Sequence, residues 1–166
     1  EHPEWHMYGR DDVPSHEELV ASRDRTLERH PRLRVIGAHL GSLEFDVAEV
    51  AKRLDRYPNF AVDVSARLAD LLAQPAAKVR EFMLAYSDRV LFGTDLVSRV
   101  PHSTLGADEL RREHSRMRDA YEAYFRYFET DELVESEGQS SPGLALPHEV
   151  LRKIYATNAR SWYPGL

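Results

Sequence analysis

Short apolar runs alternate with amphipathic segments along the first part of the chain. Three runs, at 33–38, 60–64 and 89–93, are rich in Val, Leu, Ile and Phe. Runs of this length without polar alternation are typical of parallel strands that are buried on both faces. The pattern therefore predicts three buried parallel strands.

The segments between these runs carry apolar residues at helical spacing. One helix is predicted at 15–29, where Ser15 and Glu18 have the spacing of a capping box. Further helices are predicted at 46–56, 66–73, 75–86, 107–130, 147–155 and 158–162, with loops at 97–106 and 131–143. Strands that alternate with helices indicate an α/β fold with right-handed crossovers.

The 166 residues are predicted to form a single domain. A parallel sheet of only three strands has two open edges, which need cover. The pattern fits the last part of a larger α/β barrel better than a complete domain. We therefore expect unpaired strand edges, exposed apolar surface and self-association of the chain.

Composition narrows the classes of partner. The formal net charge is −6, from 22 Lys and Arg against 28 Asp and Glu, so no nucleic acid or anionic membrane is expected as a partner. The absence of cysteine excludes disulfides and thiolate metal sites. No apolar stretch approaches the roughly 20 residues of a membrane span. The chain begins at Glu1, so its natural N-terminus is expected to be absent, and a cytoplasmic location is only the default expectation.

Two residues that suit chemistry follow predicted strands directly. His39 comes after the first strand and Asp95 after the third. The carboxyl ends of parallel strands are where α/β proteins bind ligands, and one imidazole with one carboxylate suits a divalent metal. The alternatives are a hydrogen-bonded turn histidine and an aspartate that caps a helix or lies in a turn.

Several segments together resemble a known family. They are His30-Pro31 through Gly37-Ala38-His39-Leu40-Gly41, Tyr57-Pro58-Asn59 through Asp63-Val64-Ser65-Ala66-Arg67, Arg89 through Gly93-Thr94-Asp95, and Ile154-Tyr155-Ala156-Thr157-Asn158-Ala159. Over residues 15–163 the chain resembles the C-terminal part of the amidohydrolase-related metal-dependent hydrolases. The first three segments are similar to strands six, seven and eight of that family, and the last to its closing helix.

The resemblance implies the C-terminal portion of a (β/α)8 TIM-type barrel, truncated at its N-terminus. It also implies a divalent metal, for which zinc is the expected ion. Asp95 would bind the metal and take a proton from the attacking water, and His39 would bind the metal or polarise the substrate carbonyl. The family carries a His-x-His pair on its first strand, which this chain lacks, so we expect the fragment alone to be inactive.

Two further residues are candidates for contact with a small-molecule substrate. Arg67 follows the second strand and could bind a substrate carboxylate with two hydrogen bonds, or form an ion pair with Asp63, which is the favoured role of Asp63. His102 lies in the loop after the third strand. His2 and His6 are interpreted as loop histidines rather than a zinc pair.

The long predicted helix at 107–130 ends in a cluster of aromatic side chains. Tyr121, Tyr124, Phe125 and Phe128 recur at helical spacing, which favours packing in the core over the lining of a pocket.

The sequence leaves three functions open. The first is a metal-dependent hydrolase with Asp95 as its base. The second is a non-oxidative decarboxylase of the same family, and the third is a partial barrel without catalysis that serves as an interaction or structural unit.

Overall fold

The computed structural model describes residues 10, 12–98, 102–163 and 165. Its main sheet has three parallel strands in the order β1-β2-β3, namely β1 (Val35–Gly37), β2 (Phe60–Asp63) and β3 (Val90–Leu91). Val35 aligns with Phe60, and Val62 aligns with Val90. The three predicted strands are confirmed, although each is shorter than its apolar run.

The helices of the described residues lie between and beyond these strands. They are α1 (His16–Arg29), α2 (Ala38–Ser42), α3 (Val47–Arg56), α4 (Leu68–Leu72), α5 (Ala76–Ala85), α6 (Ala107–Glu129), α7 (His148–Arg152) and α8 (Asn158–Trp162). A short 3-10 helix occupies His102–Thr104, and a π-helical turn at Lys153–Thr157 joins α7 to α8. None of these helices has both the length and the apolar character of a membrane span.

The N-terminal ends of α1 and α3 have the caps that their sequences favour. The Ser15 hydroxyl accepts a hydrogen bond from the Glu18 backbone N–H, and the Glu18 carboxylate accepts one from the Ser15 N–H at 2.7 Å. The Asp46 carboxylate accepts a bond of 2.7 Å from the Ala48 N–H. The predicted capping box is therefore confirmed.

Both faces of the sheet are covered by helices. Phe60 and Val62 of β2 belong to the large core cluster, which also contains side chains of α1, α3 and α5. Ala61 points to the opposite face, where it packs with Leu91 and with Trp162 of α8. This alternation follows from the two-residue period of a strand.

The expectation of two open sheet edges is wrong for β3. The Phe92 N–H donates to the carbonyl of Ile154 at 3.0 Å, and the Asn158 side-chain amide donates to the carbonyl of Val90 at 2.7 Å. The π-helical turn and α8 therefore bind backbone groups that a neighbouring strand would otherwise pair. At β1, by contrast, no further strand is present in the described part of the chain.

The predicted loop at 131–143 is a β-hairpin. Strands β4 (Leu133–Ser136) and β5 (Gln139–Pro142) are antiparallel, and Val134 and Ser141 face each other as a buried pair. Glu137 and Gly138 form the turn with φ values of 51° and 79°, as the tightest hairpin turns require. The loop prediction is wrong because this hairpin is mostly polar, and Val134 alone gives little apolar alternation.

Candidate functional site

The backbone just after β1 makes a single left-handed turn, α2. Its positive φ values are 56° at His39, 55° at Leu40 and 65° at Gly41. Left-handed conformation costs roughly 1–2 kcal/mol for each residue with a side chain, so the surroundings must hold the turn in place. Arg23 of α1 donates to the Gly41 carbonyl, and His16 Nε2 donates to the Ser42 carbonyl at 2.7 Å.

This turn directs the His39 ring towards the loop that follows β2. His39 Nδ1 lies 2.7 Å from the Ser65 carbonyl oxygen and 3.1 Å from Ser65 Oγ. A carbonyl oxygen can only accept, so Nδ1 carries the hydrogen. In the neutral ring Nε2 therefore has a free lone pair, which is the form that binds a metal or accepts a proton.

Asp63, the last residue of β2, connects the two strand ends. Its Oδ1 accepts hydrogen bonds from the His39 N–H at 2.9 Å, the Ser65 N–H at 3.0 Å and the Ser65 hydroxyl at 2.5 Å. The favoured interpretation of Asp63, an ion pair with Arg67, is wrong, because the partners of this carboxylate are His39 and Ser65. The Asp63 carboxylate instead fixes both the backbone of His39 and the residue that orients its ring.

Asp95 lies beside His39 at the carboxyl edge of the sheet. Asp95 Oδ2 is 3.9 Å from His39 Nε2, and the Asp95 side chain is 54% exposed. The backbone that leads to it passes close to Ser65, because a Cβ on Gly93 would lie 3.1 Å from Ser65 Cβ. Residues 92–98 form no helix, so the alternative role of Asp95 as a helix cap has no support.

A cavity of about 610 Å³ opens next to Asp95. Its lining comes from α4, α6, the loops after β2 and β3, and the tip of the β4–β5 hairpin. His39 does not line this cavity and is near it only because it lies beside Asp95.

One wall of the cavity is fixed by Tyr124 of α6. Its hydroxyl accepts a hydrogen bond from the Arg67 N–H and donates one to the Val64 carbonyl, each at 3.1 Å. Burial raises the pKa of Tyr124, so its phenol stays protonated.

Arg67 contacts carboxylates of the protein. Its Nη2 is 3.6 Å from Glu44 Oε1, and its Nε is 3.8 Å from Asp70 Oδ2. Arg67 Nε and Glu44 Oε2 are buried without a hydrogen-bond partner, and burial raises the pKa of Asp70. Arg67 is absent from the lining of the cavity, and its contact with substrate stays a prediction.

The remaining histidine candidates cannot be placed at the site. His102 begins the 3-10 helix, and its side chain lies outside the described residues. His2 and His6 also lie outside the described residues.

The donors of the site fit part of a metal centre. His39 Nε2 and Asp95 Oδ2 are of the types that zinc binds, and 3.9 Å is short enough for one cation at the usual distance of about 2.0–2.2 Å from both. Within the described ranges, no group of three or more His, Cys, Asp or Glu side chains is placed to hold a metal. The two residues therefore fit as a share of a larger ligand set.

Sequence reasoning missed the role of Ser65 and gave Asp63 a different one. Asp63-Val64-Ser65 directly follows a buried strand, and a carboxylate that accepts from the second backbone N–H after it is a common turn pattern. That signal was present in the sequence. The link from Asp63 to the His39 backbone depends on the left-handed turn, which no local pattern indicated.

The geometry defines an α/β protein with a polar site at the carboxyl edge of a parallel sheet. The model of the amidohydrolase family matches residues 9–165, so the chain belongs to this family and the resemblance seen in the sequence is confirmed. Among curated proteins, none matches the chain at a significant level.

Solved structures give a weaker likeness. Two crystal structures of an amidohydrolase from Burkholderia multivorans, one with bound HEPES and one with bound zinc, are 14% identical to this chain, with TM-scores of 0.42 and 0.41. Each comparison covers 91% of this chain and 51% of the other, so this chain spans about half the length of those relatives.

Proposed function

We propose that this chain forms the C-terminal portion of a (β/α)8 barrel in a metal-dependent hydrolase that acts on a small molecule. The observation that carries the proposal is the pairing of His39 Nε2 with Asp95 Oδ2 at 3.9 Å, at the carboxyl ends of two strands of one parallel sheet. Membership of the amidohydrolase family supports the reaction class. The proposal places the remaining metal ligands in other strands of the barrel.

His39 and Asp95 are the residues of this chain that would hold the metal. A bound divalent cation lowers the pKa of water and polarises a carbonyl group. Asp95 accepts the proton of the attacking water at its carboxylate, which its exposure of 54% makes accessible. The Ser65 carbonyl keeps the hydrogen of the neutral His39 ring on Nδ1, which leaves the Nε2 lone pair available to a metal.

Cobalt titration of the purified full-length protein tests this proposal without any substrate. Co²⁺ in a protein site gives a visible spectrum that reports its ligands. We expect His39→Ala and Asp95→Ala each to change that spectrum and to weaken binding by at least about tenfold, the usual effect of disturbing a metal site. His148→Ala, on the exposed start of α7, is the matched control and should leave both unchanged.

The outcome discriminates among the functions that the sequence leaves open. A spectrum that is the same in the His39 and Asp95 variants as in the wild type would refute the proposed metal site. A second outcome is that the His39 and Asp95 variants change the cobalt spectrum as expected, while the full-length protein releases CO₂ from carboxylated substrates and hydrolyses no esters or amides. That result would identify a decarboxylase instead of a hydrolase.

A further inference from the structure

The helix α1 contacts the turn that carries His39 through the side chain of Arg23. We infer that Arg23 is a positioning residue: it holds the left-handed turn α2 in the conformation that keeps His39 Nε2 beside Asp95, and so sets the affinity of the site for a metal. The inference rests on the proposed function for its metal, but the effect of Arg23 on the His39 ring can be measured without one.

Backbone strain is concentrated at the carboxyl ends of the three strands. The φ value is 56° at His39 after β1, 54° at Ala66 after β2 and 54° at Asp95 after β3. After β1 the positive φ values continue as far as Ser42, at 58°. Strained backbone of this kind persists only where neighbouring groups hold it firmly, and it is typical of functional sites. The turn at His39 therefore needs anchors outside its own sequence.

Contacts hold this turn at its start, its middle and its end. The His39 N–H donates to Asp63 at 2.9 Å, and the Leu40 side chain is fully buried in the core. Gly41 is buried at the end of the turn, where the helix provides no further donor, and its carbonyl accepts a hydrogen bond from Arg23 Nη1. Loss of that donor would leave a buried carbonyl without a partner, which the turn can relieve only by moving.

Arg23 is held more rigidly than His16, the other side chain of α1 that donates to the turn. His16 binds the carbonyl of Ser42 where both residues are exposed, so water can take its place. The Arg23 guanidinium instead lies over the Phe60 ring at 4.8 Å, and its Nε and Nη2 donate to Asp24 at 3.1 and 2.9 Å. A planar guanidinium can make these contacts and also bind the turn, whereas the point charge of a lysine cannot.

The end of the turn matters for the site because it determines where the His39 ring lies. The ring is fixed by the hydrogen bond from Nδ1 to the Ser65 carbonyl at 2.7 Å. If the turn relaxes, this bond is lost, either ring nitrogen can carry the hydrogen, and Nε2 no longer stays 3.9 Å from Asp95. Arg23 therefore acts on the site through the backbone that carries His39.

Arg53 of α3 provides a matched control for Arg23. Both arginines bind Asp24, and their side chains are 20% exposed for Arg23 and 23% exposed for Arg53. The other hydrogen bonds of Arg53 go to Glu49 of its own helix. Arg23→Met and Arg53→Met therefore remove comparable ion pairs, and only the first removes a donor from the turn.

Two measurements on the full-length protein test the inference. They are the ¹⁵N shifts of the His39 ring without metal and, separately, a cobalt titration. We expect Arg23→Met to convert the Nδ1–H tautomer to a mixture and to weaken cobalt binding by at least about tenfold, the usual effect of losing a group that orients a metal ligand. Arg53→Met should leave both as in the wild type, although both variants lower the midpoint of urea unfolding.

Arg23→Lys keeps the positive charge but loses the planar fork of donors, so it should show the same two changes to a smaller extent. It provides the test if circular dichroism shows that Arg23→Met does not fold. An unchanged His39 tautomer in a folded Arg23 variant would overturn the inference. Equal changes in the Arg23 and Arg53 variants would also overturn it, because they would reflect lost stability alone.

The two measurements also separate this inference from the proposed function. If the wild type binds no cobalt, the proposed metal site is refuted, and the ring shifts still decide whether Arg23 positions His39. Cobalt binding that is weakened by His39→Ala but not by Arg23→Met would refute only the role of Arg23.

Discussion

Asp95 is the residue on which the proposed chemistry depends most directly. Replacement by Asn keeps the size of the side chain and removes its charge and most of its basicity. We expect kcat of the complete protein to fall at least about a hundredfold, the usual contribution of a positioned general base. The midpoint of thermal unfolding should change little, because the side chain is 54% exposed and caps no helix in the described residues.

Measuring turnover and thermal midpoint on the same Asp95→Asn preparation separates a chemical role from a structural one. Activity within a few-fold of the wild type would remove Asp95 from the mechanism. A large fall in the midpoint would instead show that the carboxylate holds the backbone near β3.

Asp63 is a positioning residue, since it acts on the site through His39 and Ser65. Asp63→Ala leaves the donors of both residues without their acceptor, at a cost of about 1–3 kcal/mol for each group that stays buried. Asp63→Asn keeps an accepting oxygen and should restore most of the stability. We expect the ¹⁵N shifts of the His39 ring to report the Nδ1–H tautomer in the wild type and Asn variant, and a mixture in the Ala variant.

Ring shifts are the deciding measurement for Asp63, because a merely structural carboxylate would change stability without changing the tautomer. Identical His39 spectra in the wild type and in folded Asp63→Ala would contradict the positioning role.

For single residues, the sequence indicates which side chains suit the chemistry better than it indicates which contacts they make. His39 and Asp95 could be chosen because each follows an apolar run, and the sheet brings their side chains within 3.9 Å. The link from Asp63 to His39 could not be assigned, because His39 lies on a turn whose backbone conformation has no sequence signature. Arg67 was ambiguous for a related reason, since Glu44 and Asp70 became its neighbours only through tertiary folding.

Among the elements, the left-handed turn α2 has the most demanding backbone. Gly41 is the glycine of this turn, and a Cβ there would lie 3.0 Å from both Arg23 Nη1 and Phe60 Cζ. Gly41→Ala therefore adds a crowding cost to the strain of a positive φ. We expect the free energy of unfolding to fall by about 2–4 kcal/mol, the sum of backbone strain and overpacking.

Gly138 is a matched control for Gly41. It has a φ of +79° in the turn of the β4–β5 hairpin, and nothing lies within 4 Å of a Cβ there. Gly138→Ala should therefore show the backbone cost alone, about 1 kcal/mol. Urea denaturation measures the loss of unfolding free energy in both variants, and the difference between the two losses is the cost of crowding at Gly41. Equal losses would show that α2 does not pack against Arg23 and Phe60 as described.

Element prediction succeeded where caps and periodicity agreed. Ser15 and Glu18 begin α1 as expected, and the helix predicted at 46–56 is present as α3. The hairpin was missed because its core contribution comes mainly from Val134. The closing helix was predicted in two pieces, and the π-helical turn that joins them accepts the N–H of Phe92, a contact that depends on tertiary packing.

For the whole molecule, the main question is how a three-stranded sheet is covered on both faces. Trp162 of α8 completes the second face, where it packs with Ala61 and Leu91 and is 7% exposed. The Arg34 guanidinium lies over its ring at 4.2 Å, and its indole N–H donates to the Asp88 carbonyl at 3.3 Å. Arg34 and Asp88 precede β1 and β3, so this contact lies at the amino ends of the strands, away from Asp95.

Removal of Trp162 should therefore destabilise the protein without altering the site directly. Trp162→Ala is expected to lower the free energy of unfolding by about 3–5 kcal/mol, the usual cost of a buried Trp, which is a large share of a typical domain's 5–15 kcal/mol. Trp162→Phe should lose less, because it keeps most of the apolar contact. Urea denaturation followed by circular dichroism measures both without relying on tryptophan fluorescence.

The neighbouring Tyr163 provides the control for Trp162. Its side chain is 47% exposed, so Tyr163→Ala should change stability by only about 0.5 kcal/mol, as surface substitutions do. Equal losses in the Trp162 and Tyr163 variants would mean that α8 does not cover the sheet in solution. In that case the apolar second face and the edge of β3 would be open, and the self-association expected from three strands alone should appear by sedimentation velocity. A stable monomer with a large loss only at Trp162 would instead show that the chain's own closing helix protects the sheet.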